Sequence, residues 1–373
     1  MAAPWVRWLD GSATVAGEVG GPTLSAADVG GKGAGLAFLN SCTQDSAATV
    51  PRAFGVTTAA FERAITPELL TRIDRLITDA DDLSTSELER TAAQARELIE
   101  HADMPTELVR AISDAYTELG GHEPEPPVAV RSSAAGEDAA GASFAGEHDS
   151  FLWISGADAV CQRVKDCWAS SWTARAIAYR TKNAQAVTPM AVVVQHMVPA
   201  VAAGVFMTLN PVNGDRSKIV VEAVWGLGEP LVSGTVDPDR WVIDKITGDV
   251  ASSTIVHKPT RVVRDTATGQ GLETEPVPEQ RADQPCLNAS QLRQLVDVAR
   301  QIERTAGCPQ DGEFAVAPVA GADSSDGDDI IHLLQARPET VWDNAERPSI
   351  TGGKSALGSI VDTLSRGSGW KTN

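Results

Sequence analysis

Apolar residues recur along the chain with two different periods, which predict a mixed helical and sheet protein. Residues 67–119 and 288–307 carry apolar side chains at helical spacing. In the second of these segments, Ser290 is the expected N-cap and Gly307 the expected C-terminal stop. Short apolar runs such as residues 190–198 instead predict buried strands. The pattern therefore favours the α+β class.

Three further strands are predicted at residues 204–209, 219–225 and 240–244, separated by short turns. Successive strands joined in this way imply an antiparallel sheet. The middle strand places Glu222 among apolar residues, and a carboxylate there needs a cation or a bound hydroxyl-bearing ligand as its partner. Residues 250–284 are polar and poorly patterned, and we interpret them as a peripheral hairpin and loop.

An apolar strand at residues 128–130 leads to Arg131 and then to a segment of small residues and glycines. We expect Arg131 at the end of this strand, where a planar guanidinium can bind phosphate oxygens through two hydrogen bonds. Small residues such as Ser143 and Gly146 allow main-chain amides to approach a ligand closely. The segment fits a loop that closes over polyphosphate, or a surface loop whose arginine pairs with a neighbouring carboxylate.

A glycine-rich turn carries Lys32 into an apolar helical segment at residues 34–39. A lysine beside a helix N-terminus favours anions, because the free N–H groups and the helix dipole already do so. The turn is not a Walker A loop, since no serine or threonine follows the lysine. Taken alone, the motif is weak and favours a solvated lysine in a glycine turn.

The last two predicted strands, residues 312–319 and 330–337, form a hairpin. Alternation along the second strand places three residues on one face: Leu333, Gln335 and Arg337. Glu313 in the first strand is expected near Gln335. A carboxylate and an amide carbonyl are oxygen ligands suited to Mg²⁺, which prefers to bridge substrate phosphates.

Composition narrows the classes of partner. The chain has 373 residues, enough for about two domains, and its net charge of -19 argues against nucleic acid as the main partner. Local cations must therefore hold any anionic ligand. The five scattered cysteines form no CxxC pair, which predicts neither disulfides nor a zinc site and favours the cytoplasm. The sequence shows no secretion signal and no long apolar span, so neither secretion nor membrane insertion is expected.

Six segments resemble the N-terminal ATP-binding region of the phosphoenolpyruvate synthase and pyruvate phosphate dikinase family, over residues 24–342. They read VGGKGAGL, VAVRSSAAGEDAAGASFAGEHDSFL, CWASSWTARAIAYR, VVVQHMV, VEAVWGLGEPLVSGTVDPD and IIHLLQARPETV. Rifampicin phosphotransferase and the ATP-binding subunit of phenylphosphate synthase share this region. The resemblance implies an ATP-grasp-like fold: an N-terminal lobe with a helical scaffold (1–190), a C-terminal lobe (191–342) and a flexible tail (343–373).

The same resemblance implies a role for each matching position. The residues implied to contact ATP phosphates or cover them are Lys32, Arg131, Ser143, Gly146 and Arg337, of which Arg131 and Arg337 are the implied catalytic residues. The residues implied to line the adenine pocket are Gln195, Met197 and Val198, with Glu222 on the ribose hydroxyls or an adjacent polar group. The implied Mg²⁺ ligands are Glu313 and Gln335.

In this family, a histidine on a swivelling domain attacks the β-phosphate of ATP, which releases AMP and then phosphate. None of the six histidines here lies in the family's histidine loop. We therefore expect an ATP-binding subunit of a split dikinase-type phosphotransferase, with the histidine supplied in trans and an onward acceptor such as pyruvate, a phenol, an antibiotic hydroxyl or water. The alternatives are a non-catalytic ATP-binding regulatory module, an ATP-grasp ligase that releases ADP, and an N-terminal fragment of a full-length synthase or antibiotic phosphotransferase.

Overall fold

The computed structural model describes residues 5–10, 24–44, 46–77, 83–134, 150–182, 186–269, 271–318 and 329–342. Ser143, Gly146 and the predicted tail at residues 343–373 lie outside the described residues. Contacts divide the chain into two units, Met1–Glu339 and Thr340–Asn373, and every helix and strand given below belongs to the first. The predicted division into lobes at residue 190 stays a prediction.

Five strands form an antiparallel sheet. In spatial order they are β1 (Val6–Trp8), β2 (Ala53–Val56), β5 (Met190–His196), β3 (Val128–Ala134) and β4 (Ser150–Ile154). The prediction that Arg131 ends its strand is wrong, because β3 continues to Ala134. Arg131 instead pairs with Val193 on one side and Ser150 on the other. Its main chain is therefore held in the middle of the sheet.

Six strands form a second antiparallel sheet. In spatial order they are β13 (Ile330–Pro338), β12 (Gln310–Ala317), β6 (Ala202–Met207), β7 (Lys218–Trp225), β8 (Asp239–Asp244) and β9 (Val250–Thr254). The antiparallel order of β6, β7 and β8 confirms the sequence prediction. A separate hairpin contains β10 (Thr260–Arg264) and β11 (Leu272–Pro276).

A bulge in β13 changes which residues share a face. Glu313 lies opposite Gln335, but Phe314 lies opposite Leu333, so Leu334 is an extra residue in its strand. Leu333 is buried with Phe314 in one hydrophobic cluster, whereas Leu334 packs with Ala315 in another. The prediction that Leu333 shares a face with Gln335 and Arg337 is therefore wrong, since simple alternation fails at a bulge.

The helices are α1 (Ala26–Cys42), α2 (Thr58–Ala64), α3 (Pro67–Ile77), α4 (Thr85–Glu100), α5 (Thr106–Gly120), α6 (Ala157–Ala169), α7 (Ala174–Lys182), α8 (Glu229–Val232), α9 (Glu279–Ala282) and α10 (Ala289–Ala306). The predicted N-cap of α10 is wrong by two residues. Asn288, rather than Ser290, accepts a hydrogen bond from the Gln291 N–H, and the Gln291 side chain accepts one in return. Gly307 ends this helix in the left-handed conformation, as predicted.

Two large hydrophobic clusters form the core. One packs α4, α5 and α6 against the five-stranded sheet, with Trp168 and Trp172 fully buried around Phe61. The other packs α10 against the six-stranded sheet and includes Leu36 and Leu39 of α1. Because α1 contacts β3 and β5 of one sheet and β13 of the other, it fixes the two sheets to each other. Within the described ranges, no helix is long and apolar enough to cross a membrane.

Candidate active site

A cavity of about 380 Å³ lies between the two sheets, a volume within the usual range of small-molecule sites. Its walls come from β3, β4, β5, β6, β12 and β13, from residues 227–233 and from Leu272. Five of the residues predicted for the site line it: Arg131, Gln195, Met197, Val198 and Glu313. The fold thus gathers into one cavity residues that lie far apart along the chain.

Arg131 joins the two sheets at the polar end of this cavity. Its Nη2 lies 2.7 Å from Oε2 of Glu313 and 3.1 Å from Oε1 of Gln335. Glu313 and Gln335 face each other across the β12–β13 pair, as the sequence predicted. One guanidinium nitrogen therefore collects both oxygens that the sequence assigned to a metal.

Two further cations act on the same carboxylate. Burial alone would raise the pKa of Glu313, but Arg131 holds it below its usual range, with Lys32 and Arg337 contributing. Arg337 also lies 3.8 Å from Asp311, between its Nε and the Oδ2 of the carboxylate. Lys32, Arg131 and Arg337 thus all act electrostatically on Glu313, and they supply the local positive charge that an anionic ligand needs in an acidic chain.

Lys32 owes its position to a break in α1. Gly30 has a φ of +72°, which interrupts the helical geometry of α1 after its first turn, and the regular helix resumes after this residue. The turn is held against β3 by Ser133, whose Oγ accepts from the Gly33 N–H at 3.1 Å and donates to the Val29 carbonyl at 2.8 Å. A Cβ on Gly30 would lie 1.9 Å from the Ser133 carbonyl oxygen, so only glycine fits. This packing confirms that the turn leads into a helix, and it holds Lys32 where its charge acts on Glu313.

The other end of the cavity is mostly apolar. Leu152, Met197 and Leu227 line it, and Gln195 contributes a side-chain amide that is only 2% exposed. Among the described residues, the Nε2 of Gln195 has no hydrogen-bond partner. The Met197 N–H is already bonded to the Pro127 carbonyl, at 2.9 Å. An apolar slot with one unpaired buried amide suits a flat heteroaromatic ring.

Glu222 does not line the cavity. Its Oε1 lies 3.5 Å from Nη1 of Arg240 on the neighbouring strand, so its partner is a cation, one of the two options that the sequence left open. Glu229, at the start of α8, lines the cavity instead and is exposed at its rim. Sequence reasoning missed Glu229, although it follows the glycine pair after β7.

Asp311 is a second residue that sequence reasoning missed. It precedes Glu313 by two positions on β12, and its carboxylate faces Arg337. Burial raises the pKa of Asp311 to about 6, against the opposing effect of Arg337. Asp311 lies one residue before the strand predicted at 312–319, and only the observed start of β12 at Gln310 places it in the same strand as Glu313, two positions away.

The donor set fits Mg²⁺. Oxygens of Glu313 and Gln335 both lie within 3.1 Å of one atom, Arg131 Nη2, so they converge on a common point. In the part of the chain that the structure describes, no group of three or more His, Cys, Asp or Glu residues is arranged to hold a metal. A site with one carboxylate and one amide suits an ion that takes its remaining ligands from phosphates and water.

A cluster of cations beside an apolar slot with a buried amide is the arrangement expected of a nucleotide-binding domain. Residues 26–355, most of the chain, match the family described as "Pyruvate phosphate dikinase, AMP/ATP-binding domain". The chain belongs to this family, which confirms the resemblance found in its sequence motifs.

Several curated proteins are similar to the chain. They include a phosphoenolpyruvate synthase from Aeropyrum pernix, 36% identical over 84% of this chain and 41% of the relative. A rifampicin phosphotransferase from a Streptomyces species is 38% identical over 84% of this chain and 34% of the relative. A probable phosphoenolpyruvate synthase from Pyrococcus abyssi is 39% identical over 70% of this chain and 32% of the relative. The chain therefore matches less than half the length of each of these proteins.

Proposed function

We propose that the chain is an ATP-grasp-like module that binds ATP between its two sheets and transfers the β-phosphoryl group to a histidine of a partner protein. AMP and phosphate are the products released. The observation that carries this proposal is the contact between Arg131 and Glu313 beside an apolar slot, with Lys32 and Arg337 adding positive charge that acts on the same carboxylate. Phosphoryl transfer depends mainly on positioning and on neutralising charge, and this cluster supplies both.

The two ends of the cavity divide the recognition of ATP. The base lies in the slot formed by Gln195, Met197 and Val198, where the unpaired amide of Gln195 bonds a ring heteroatom. Glu229 accepts hydrogen bonds from the ribose hydroxyls, since Glu222 is engaged with Arg240 outside the cavity. This assignment places the triphosphate toward Arg131.

The cations act on the phosphates. Phosphate oxygens compete with Glu313 and Gln335 for the Arg131 guanidinium, while Lys32 and Arg337 neutralise the remaining charge. Ser143 and Gly146 belong to the segment that covers the triphosphate. Glu313 and Gln335 hold Mg²⁺, which when bound supplies further neutralisation of phosphate charge.

The reaction needs a nucleophile from outside this cluster. A ring nitrogen of the partner's histidine forms a bond to the β-phosphorus as the bond to the α-phosphate oxygen breaks, and AMP leaves. Water then cleaves the γ-phosphate from the pyrophosphorylated histidine, which leaves phosphohistidine for transfer to pyruvate or another hydroxyl or enol acceptor. The names of the relatives, phosphoenolpyruvate synthase and rifampicin phosphotransferase, support acceptors of this kind.

The test is ATP turnover by the purified chain with Mg²⁺, with AMP and ADP separated by chromatography. It is run alone and with the histidine-bearing domain of a phosphoenolpyruvate synthase. We expect AMP only when that domain is present. Arg337→Gln should lower AMP formation by about 100-fold, because it removes a charge that stabilises the transferred group.

Arg300→Gln provides a matched control, since Arg300 lies on α10 and pairs with Asp297 away from the cavity. It should leave AMP formation unchanged. Formation of ADP instead of AMP would identify an ATP-grasp ligase. Binding of ATP without AMP under any pairing would identify a non-catalytic nucleotide-binding module.

A further inference from the structure

The β10–β11 hairpin extends from the six-stranded sheet to the five-stranded sheet and reaches the cavity. Sequence analysis interpreted this region as peripheral, but Leu272 of β11 lines the cavity. Val262 of β10 packs against the cluster of Ala129, Trp153, Met197 and Leu227. The hairpin is therefore part of the apolar wall at the base end.

The hairpin is anchored at its root by a buried ion pair. Lys258 precedes β10, and its Nζ lies 2.6 Å from Oδ1 of Asp239, with side chains 3% and 0% exposed. The other oxygen of Asp239 accepts the Cys286 N–H at 2.9 Å. Both chain segments that lead into and out of the hairpin are thereby tied to β8.

The β10 strand of the hairpin is hydrogen-bonded to Leu227, which lines the cavity. The Leu227 N–H donates to the Val262 carbonyl at 2.9 Å. Gly226 has a φ of +75°, and a Cβ there would lie 2.4 Å from the Val262 carbonyl oxygen. This close approach sets the distance between β10 and Leu227.

Arg264 makes the connection to the other sheet. Its guanidinium carbon lies 5.0 Å from the centre of the Trp153 ring in β4. The same guanidinium donates from Nε and Nη2 to the Gly269 carbonyl, at 2.9 Å and 2.6 Å. One side chain thus holds the shape of the hairpin turn and joins it to β4.

Trp153 is held in an unusual conformation. A bulge leaves both Leu152 and Trp153 opposite Ala129, so two consecutive side chains lie on the cavity side of β4. Trp153 has a φ of 58°, which is rare for a large residue, and its buried Nε1 has no partner among the described residues. Strained residues of this kind persist where the surrounding structure requires them, commonly beside a ligand.

We propose that Trp153 and Arg264 are positioning residues that hold the apolar wall at the spacing of the nucleotide base and so set the affinity for ATP. They act through Leu152, Leu227 and Leu272, which line the cavity. Trp153 and Arg264 themselves do not line it. This inference rests on the proposed binding of ATP in the cavity.

The test is the dissociation constant for ATP, measured by calorimetry for the unsubstituted chain, Trp153→Leu, Arg264→Gln and the double variant. Each single substitution should weaken binding roughly two- to fivefold, the range expected for loss of a cation–π contact. The losses should be less than additive in the double variant, because both substitutions remove the same cation–π contact. Trp153→Phe should bind as the unsubstituted chain does, since it keeps an aromatic face and Nε1 has no partner to lose.

Arg163→Gln is the matched control. Arg163 lies 5.0 Å from the ring of Phe151, also in β4, but neither residue lines the cavity. Its affinity for ATP should be unchanged. Thermal or urea unfolding of each variant without ATP tests whether the contact is purely structural. A purely structural contact would lower the unfolding midpoint of the variants and leave their dissociation constants for ATP unchanged.

An unchanged dissociation constant in both single variants, or additive losses in the double variant, would overturn this inference alone. Failure of the unsubstituted chain to bind ATP would overturn the proposed function and this inference with it. The two results are distinguished by the unsubstituted chain.

Discussion

Arg131 Nη2 and Glu313 Oε2 lie 2.7 Å apart, although their residues belong to different sheets and are 182 positions apart in the chain. The pair therefore reports how closely the two sheets approach at the polar end of the cavity. It also couples the ligand site to the fold, because a phosphate that binds Nη2 of Arg131 competes with Glu313 and Gln335 for that nitrogen.

Arg131→Gln should weaken ATP binding at least about tenfold, since a charged hydrogen bond to the ligand contributes roughly 1.5–3 kcal/mol. The substitution also leaves Glu313 without its main cation, so the pKa of Glu313 should rise. Calorimetric titration with ATP measures the affinity. Arg240→Gln is the control, because Arg240 pairs with Glu222 outside the cavity. Equal weakening by both substitutions would contradict a specific role for Arg131.

Glu229→Gln should remove the preference for ATP over 2′,3′-dideoxy-ATP. Glu229 is the carboxylate at the cavity rim, where it can accept hydrogen bonds from the ribose hydroxyls. The variant lacks the carboxylate and the analogue lacks the hydroxyls, so either change removes the same charged hydrogen bond. We expect roughly tenfold weaker ATP binding and little change for the analogue. Glu222→Gln should keep the preference. If Glu222→Gln removed the preference and Glu229→Gln kept it, Glu222 rather than Glu229 would be the residue that contacts the ribose.

Much of the architecture follows from local patterns, and the departures have identifiable causes. The antiparallel order of β6, β7 and β8 follows from short turns between apolar runs. Arg131 was expected at a strand end because polar and small residues follow it, but tertiary pairing with Val193 extends the strand. Alternation failed in β13 because a bulge at Leu334 leaves no signature in hydrophobic periodicity.

In the candidate site, too, some residues could be predicted from the sequence and others could not. Lys32, Arg131, Glu313 and Gln335 carry chemistry that residue type and spacing make visible, and the structure brings them together. The place of Leu272 in the cavity wall could not be predicted from the sequence. A single apolar residue in a polar hairpin does not indicate which distant strands will lie beside it. Asn288 was overlooked as a cap since Ser290 competes with it in the same segment, and only the reciprocal bond with Gln291 separates them.

His332 should make stability depend on pH. Burial lowers the pKa of His332 and nearby His196 adds to this effect, while its Nδ1 lies 3.0 Å from the Thr49 hydroxyl. As pH falls through about 6.5, the unfolded chain takes up a proton more readily than the native chain, so stability is lost on acidification. Urea unfolding at pH 7.5 and 5.5 should show a smaller loss for His332→Asn than for the unsubstituted chain.

The asparagine retains a group that can bond Thr49 but does not titrate. His122→Asn, at an exposed position, should keep the full loss of stability. If His332→Asn also lost as much stability as the unsubstituted chain between the two pH values, burial of His332 would not be the source of the dependence.

Lys258→Met should destabilise the fold by about 3–5 kcal/mol, because it leaves the fully buried carboxylate of Asp239 without its cation. Lys218→Met offers a comparison of the same chemistry at the surface, where Lys218 and Asp244 are 25% and 29% exposed. Loss of that pair should destabilise the fold far less, since solvent screens it and each side chain must be ordered. Urea unfolding at neutral pH measures both. Similar losses for the two variants would mean that burial adds nothing at Asp239, and the hairpin root would then be held by its main-chain hydrogen bonds alone.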